Sequence, residues 1–180
     1  MPTSDQAPEI TGLTLQRYLG LFTGRALDGL VSAIAELTPE ELHFRPSELS
    51  NSIGWEAWHV FRTADNIVHF VFSRERPIWL QQGLDEAWGL PRVEQGTGMD
   101  PDVAHSLVFP EAGLLAAYGR DVREAVVPRI EAMTDDELQV VQLVRPWGEI
   151  TRLEAIGQTL IAHGNGHLGQ ISTADRKSVV

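Results

Sequence analysis

The chain has 180 residues, a length that suits one domain with a sizeable core. An apolar share of 43 % excludes a disordered chain, and the absence of cysteine excludes a disulfide scaffold, a thiol nucleophile and a thiolate zinc site. A formal net charge of -11, from 25 acidic against 14 basic residues, argues against nucleic acid or an anionic membrane surface as partner.

Residues 1–11 are polar and proline-containing and read as a flexible tail, leaving 12–180 as a single domain. The start carries no cationic segment or apolar core, so it does not read as a signal peptide. No apolar run reaches the roughly 18 residues of a membrane span, and a cytoplasmic protein is expected. From Leu13 to Leu37 apolar residues recur three or four apart (Leu15, Leu19, Phe22, Ala26, Leu30, Ile34), which predicts a first long helix. Thr38-Pro39-Glu40-Glu41 then reads as a capping box opening a short helix.

A second long helix is predicted from Ile53 to Leu80, with Ile53, Ala57, Val60, Ala64, Ile67 and Val71 as its seam and Pro77 near its end. Residues 81–110, rich in glycine and proline, form a long irregular connection of the kind that serves as a lid or crossover. Asp102 to Leu107 is expected to form a helical turn. The third long helix runs from Pro110 to Met133, with a kink expected at Pro128. Thr134-Asp135-Asp136-Glu137 is another capping box. Strand composition appears only at Val140 to Val144, followed by a loop at Pro146-Trp147-Gly148 and a fourth long helix from about Thr151. Four long helices and two short ones predict an all-α antiparallel four-helix bundle, with a long crossover connection between the second and third.

The seam of the fourth helix reads Leu153, Ile156, Leu160, His163, His167, Gln170, Ala174. His163 and His167 are four apart and share one helical face, where two neutral imidazoles can chelate a divalent ion. A pair of hydrogen-bonded core histidines is the alternative, and it requires a buried partner for each. Gly164 and Gly166 between them are poor helix formers, which points to open space or a close neighbour beside the pair. The zinc-protease pattern is absent, since glycine follows His163 where that motif has glutamate.

A metal site that keeps an open position needs a third ligand. His43 and His105 lie on short or irregular segments, and His59 and His69 lie on the second helix. Helical spacing does not choose among them. His59 points away from the centre of the seam, on a stripe of Trp55, Thr63, Asn66 and Phe70 that fits a pocket wall, a subunit interface or a surface. Glu56-x-x-His59 lacks the matching motifs that a di-iron carboxylate bundle requires.

Ser52-Ile53-Gly54-Trp55-Glu56-Ala57-Trp58-His59-Val60 and His163-x-x-x-His167-x-Gly169-Gln170-Ile171 resemble the second-helix and last-helix signatures of the DinB/YfiT-like superfamily. The Pro146-Trp147-Gly148 turn and the Thr-Pro-Glu-Glu-Leu segment fit as well, so the resemblance runs from Leu13 to about Arg176. It implies a four-helix bundle with a crossover after the second helix, and a divalent metal held by His59, His163 and His167. Gly164 and Gly166 depart from the bulkier residues usual in that family, which leaves the pocket shape open. Similar members include S-transferases and isomerases that use low-molecular-weight thiols, and metal-dependent hydrolases.

The expected function is that of a metal-dependent enzyme in which the ion activates a water or a small thiol against a small-molecule substrate. Zinc or nickel is expected first, with iron or manganese as alternatives. Glu56, one turn before His59, is the candidate general base, with a solvated surface carboxylate as the alternative. Gln170 and Asn66 are candidates for the places behind the ligands. The rival expectation is a non-catalytic metal-binding or interaction protein. Exposed aromatics on an acidic surface suggest a homodimer.

Overall fold

The computed structural model describes residues 12–178, and the tail expected over residues 1–11 lies outside them. Its first helix, α1 (Leu15–Ile34), starts where the Thr14 side chain accepts from the backbone N–H of Arg17. The short α2 (Pro39–Leu42) carries the expected capping box between Thr38 and Glu41. Ser52 caps α3 (Ile53–Asp65) by accepting from the N–H of Trp55. Each residue of α3 is buried, including its polar ones.

The second long helix ends earlier than its apolar pattern predicts. After Asp65 the chain winds into a π-helical segment, Asn66–Phe72, and leaves the helix at Arg74, whose φ is 59°. Asp65 supplies the physical reason. Its carboxylate accepts from the backbone N–H groups of Ile78 and Trp79, both at 2.9 Å, and so caps a separate helix, α4 (Ile78–Gln81), folded back against it. Pro77 contributes no donor and precedes α4 rather than ending the long helix.

The connection from residue 73 to 111 holds α4, α5 (Leu84–Trp88) and α6 (Pro101–Ser106), so it is more ordered than its glycines and prolines suggest. The third long helix, α7 (Ala112–Glu131), runs on through Pro128. Then comes α8 (Asp135–Leu138), with its Thr134–Glu137 capping box.

The chain next makes an antiparallel hairpin, β1 (Val141–Val144) with β2 (Gly148–Thr151), pairing Val141 with Thr151 and Val144 with Gly148. Of the loop expected at Pro146-Trp147-Gly148, Pro146 and Trp147 lie in its turn and Gly148 opens β2. The partner strand, Gly-Glu-Ile-Thr, carries no alternation strong enough to read as a strand. The fourth long helix comprises α9 (Arg152–Ala155), capped by a Thr151–Glu154 box, a π-helical segment Ile156–Ala162, and α10 (His163–Ser178).

The four long helices form a bundle: α1 packs on α7 and α10, and α3 packs between α7 and α10. Leu27, Leu30, Ile34, Trp58, Phe61, Leu115, Tyr118 and Ile130 fill its centre. Glycines mark the closest approaches. A β-carbon on Gly29 would lie 2.7 Å from the Leu168 side chain, which is how α10 comes close to α1. Among the described residues, no helix is long and apolar enough to cross a membrane.

Candidate metal centre

His59 lies mid-way along α3 and is 5 % exposed. His163 and His167 occupy successive turns of α10 and are half-buried. Because α10 packs against both α1 and α3, the pair faces His59 across the bundle. Gly164 sits in that contact, where a β-carbon would already touch Ala26 and Val60 at 3.5 and 3.6 Å. Gly166 faces open space instead. The two glycines therefore serve different ends, one close packing and one an opening.

The three imidazoles meet through a single kind of atom. His163 Nε2 lies 3.1 Å from His59 Nε2 and 2.9 Å from His167 Nε2. All three ligand atoms lie within 4.8 Å of one another, and among the described residues no other cluster of this kind occurs. The remaining ring nitrogens show why Nε2 is free. His59 Nδ1 donates to the backbone carbonyl of Gln95, and His167 Nδ1 donates to the carboxylate of Glu56. A neutral imidazole has one N–H, so both rings present an Nε2 lone pair to the centre. His163 Nδ1 is buried without a hydrogen bond in proper geometry. The Thr159 carbonyl nonetheless favours the protonated ring there, opposing the effect of burial.

The electrostatics keep two of these rings neutral. The pKa of His59 is lowered to about 3, chiefly by burial, with the Gln95 carbonyl opposing and the neighbouring His167 and His163 adding to the lowering. Burial, followed by His167, also lowers the pKa of His163.

Trp55 stacks on His59, with ring centroids 4.8 Å apart and 22° between planes. On the far side of Glu56 opens a cavity of about 580 Å³, bordered by Glu56, Ile53, Asn51, Gly166, Gln170 and Thr173 among others.

Residues 23–171 match the DinB superfamily. The chain belongs to the DinB superfamily. The match takes in both histidine-bearing helices and the connection between them. The crystal structure of a conserved protein from Enterococcus faecalis has the same fold, with a TM-score of 0.79 at 22 % sequence identity, over 91 % of this chain and 96 % of that one. No curated protein matches the sequence.

Within this DinB-superfamily bundle the other histidines stand apart from the cluster. His43 is fixed by the carbonyl of Pro39 at 2.8 Å and by the N–H of Phe109 at 3.0 Å. His69 is buried against Asp65, 2.8 Å from its Oδ1. His105 lies near the end of α6. Glu56 is 8 % exposed and engages His167, so it is not a solvated surface carboxylate. Gln170 is exposed and borders the cavity, while Asn66 lines a separate groove beside Phe70 and Arg74. The places behind His59 and His167 are held by Gln95 and Glu56.

Sequence reasoning does not find Gln95. It acts through its backbone carbonyl, which any residue type supplies, from within an irregular segment.

The donor set fits a divalent metal. Nitrogens bound to one ion at about 2 Å stand roughly 3 Å from one another, as His163 Nε2 does from each of the other two, with all three within 4.8 Å. With its proton on Nδ1, His163 adds a third lone pair to those of His59 and His167, and a cation then satisfies all three.

Proposed function

We propose that this chain is a divalent-metal-dependent enzyme acting on a small molecule, with His59, His163 and His167 as the metal ligands. The convergence of three Nε2 atoms, two of them with Nδ1 engaged elsewhere, carries this reading. A divalent ion bound there, zinc or nickel first and iron or manganese as alternatives, supplies positive charge and an open face that lowers the pKa of a water or small thiol placed against it.

The protein's own groups provide the rest. The Gln95 carbonyl and the Glu56 carboxylate hold the N–H protons on Nδ1 of His59 and His167 and so fix both rings. Trp55 covers one face of His59 and keeps water from it. The cavity beside Glu56 is large enough for a small molecule, and its neutral polar groups Asn51, Gln170 and Thr173 can orient one. Glu56 borders that cavity while holding His167, and although none of the three histidines lines it, Glu56 links it to the centre and is the group we assign to accept a proton from a water or low-molecular-weight thiol. Hydrolysis and thiol S-transfer are the two reaction classes this arrangement serves.

The test is turnover by zinc- or nickel-loaded protein in two panels, small thiols with electrophiles and hydrolysable esters and amides. One panel should respond. His163→Ala should lose both bound metal and turnover, and Glu56→Gln should lower turnover by about 10²-fold or more. Metal-loaded protein that is inert in both panels yet melts at higher temperature than the metal-free form would instead favour an ion that only braces α3 and α10.

A further inference from the structure

We propose that the segment 91–96 of the α3–α7 connection belongs to the metal centre, with Gln95 and Gly96 as positioning residues for His59. Seating this segment and binding metal are then one equilibrium. This rests on the metal-centre reading above.

The segment is held to α3 and α4 by its backbone oxygens. Trp79 Nε1 donates to the carbonyl of Pro91 at 3.2 Å. Arg62 Nη2, from a side chain only 2 % exposed, donates to the carbonyls of Arg92 and Val93, both at 3.4 Å. His59 Nδ1 donates to the carbonyl of Gln95. Four carbonyls in five residues are thus engaged, that of Pro91 by α4 and those of Arg92, Val93 and Gln95 by α3, the helix that carries His59. His167, in contrast, is held by Glu56 from within the bundle. Of the three ligands, only His59 is anchored to the connection in this way.

Gly96 explains why the contact is tight. Its φ is 101°, in the region that favours glycine. A β-carbon there would lie 2.7 Å from Trp55 Cζ2 and 2.8 Å from His59 Nδ1. Both neighbours are flat rings stacked on each other, so neither can yield by bending as a flexible chain end does. A side chain at position 96 must displace the indole, the imidazole or the segment itself. Displacing either the imidazole or the segment breaks the bond between Nδ1 and Gln95; moving the imidazole also shifts Nε2 from its 3.1 Å approach to His163, and moving the segment leaves the ring without the acceptor that orients it.

The same connection contains its own control. Gly98 also has a positive φ, 70°, but a β-carbon on it would meet nothing within 4 Å. Gly98→Ala therefore also places a side chain at a positive φ in this connection, with less backbone strain because 70° lies nearer the left-handed region open to alanine than 101° does, and of the two only Gly96→Ala presses on His59. Thermodynamic linkage adds a reciprocal effect: if the seated segment favours metal, metal must favour the seated segment.

Cobalt(II) titration followed by visible absorption gives the affinity of the full chain and of each variant. Gly96→Ala should weaken cobalt binding by about 10- to 100-fold, the range typical of losing a support behind a ligand. Gly98→Ala should stay within about threefold of the unmodified chain. Hydrogen exchange on the unmodified chain, which needs no variant to fold, should show slower exchange over residues 91–96 once cobalt is added. Unchanged affinity in Gly96→Ala, equal losses in the two variants, or unchanged exchange would each overturn the proposal while leaving the three-histidine centre standing. Failure of the unmodified chain to bind cobalt would remove both.

Discussion

His59 and His69 lie ten residues apart on one continuous stretch of helix, and both are buried. His59 directs Nε2 toward His163, whereas His69 directs Nδ1 toward the carboxylate and carbonyl of Asp65, one turn earlier. Replacing each should separate metal binding from stability. His59→Ala should lower metal affinity by orders of magnitude, read by competition with a chelator. His69→Ala should leave affinity nearly unchanged but cost about 1–3 kcal/mol in urea denaturation, because it leaves a buried carboxylate short of a partner. The reverse pattern would place the metal in the π-helical segment that follows α3. The pair His163 and His167 is legible in the sequence because four-residue spacing puts both on one face. The choice of His59 is not legible from spacing. Burial on all sides of α3 removes the contrast between a packed and a solvated face on which such a choice depends. The family signature makes that choice where periodicity does not.

At the scale of elements, Asp65 determines where the second long helix stops being one. Its carboxylate accepts from Ile78 and Trp79 and from the Tyr118 hydroxyl at 2.9 Å, and also faces His69. Asp65→Ala strands these buried donors together and should destabilise the fold by about 3 kcal/mol or more, while Tyr118→Phe should cost about 1 kcal/mol. Chemical denaturation checks both, and a near-neutral Asp65→Ala would show that α4 is held by packing alone. The apolar pattern through Leu80 cannot reveal this break, because the group that causes it lies 13 residues before the N–H of Ile78. Local signals fare better. Thr38 with Glu41 and Thr134 with Glu137 read as capping boxes from four consecutive residues each, and both form. Each histidine-bearing helix also contains one π-helical segment, Asn66–Phe72 and Ile156–Ala162, the latter ending immediately before His163. Wider turns of this kind often accompany functional sites, and they leave no periodic trace in a stripe counted by threes and fours.

Across the whole molecule, four apolar stripes are enough to indicate a helical bundle, since each stripe must be buried against another. The site is less legible than the fold. It joins the middle of α3, the first turns of α10 and one carbonyl of a connecting segment, and only the first two are marked by residue type. The central claim is that His59, His163 and His167 bind one ion together. X-ray absorption at the metal edge of zinc-loaded protein tests it directly. The account predicts three imidazole nitrogens at about 2 Å in the unmodified chain and one fewer in His59→Ala. An oxygen-only shell, or a spectrum that His59→Ala leaves unchanged, would contradict it.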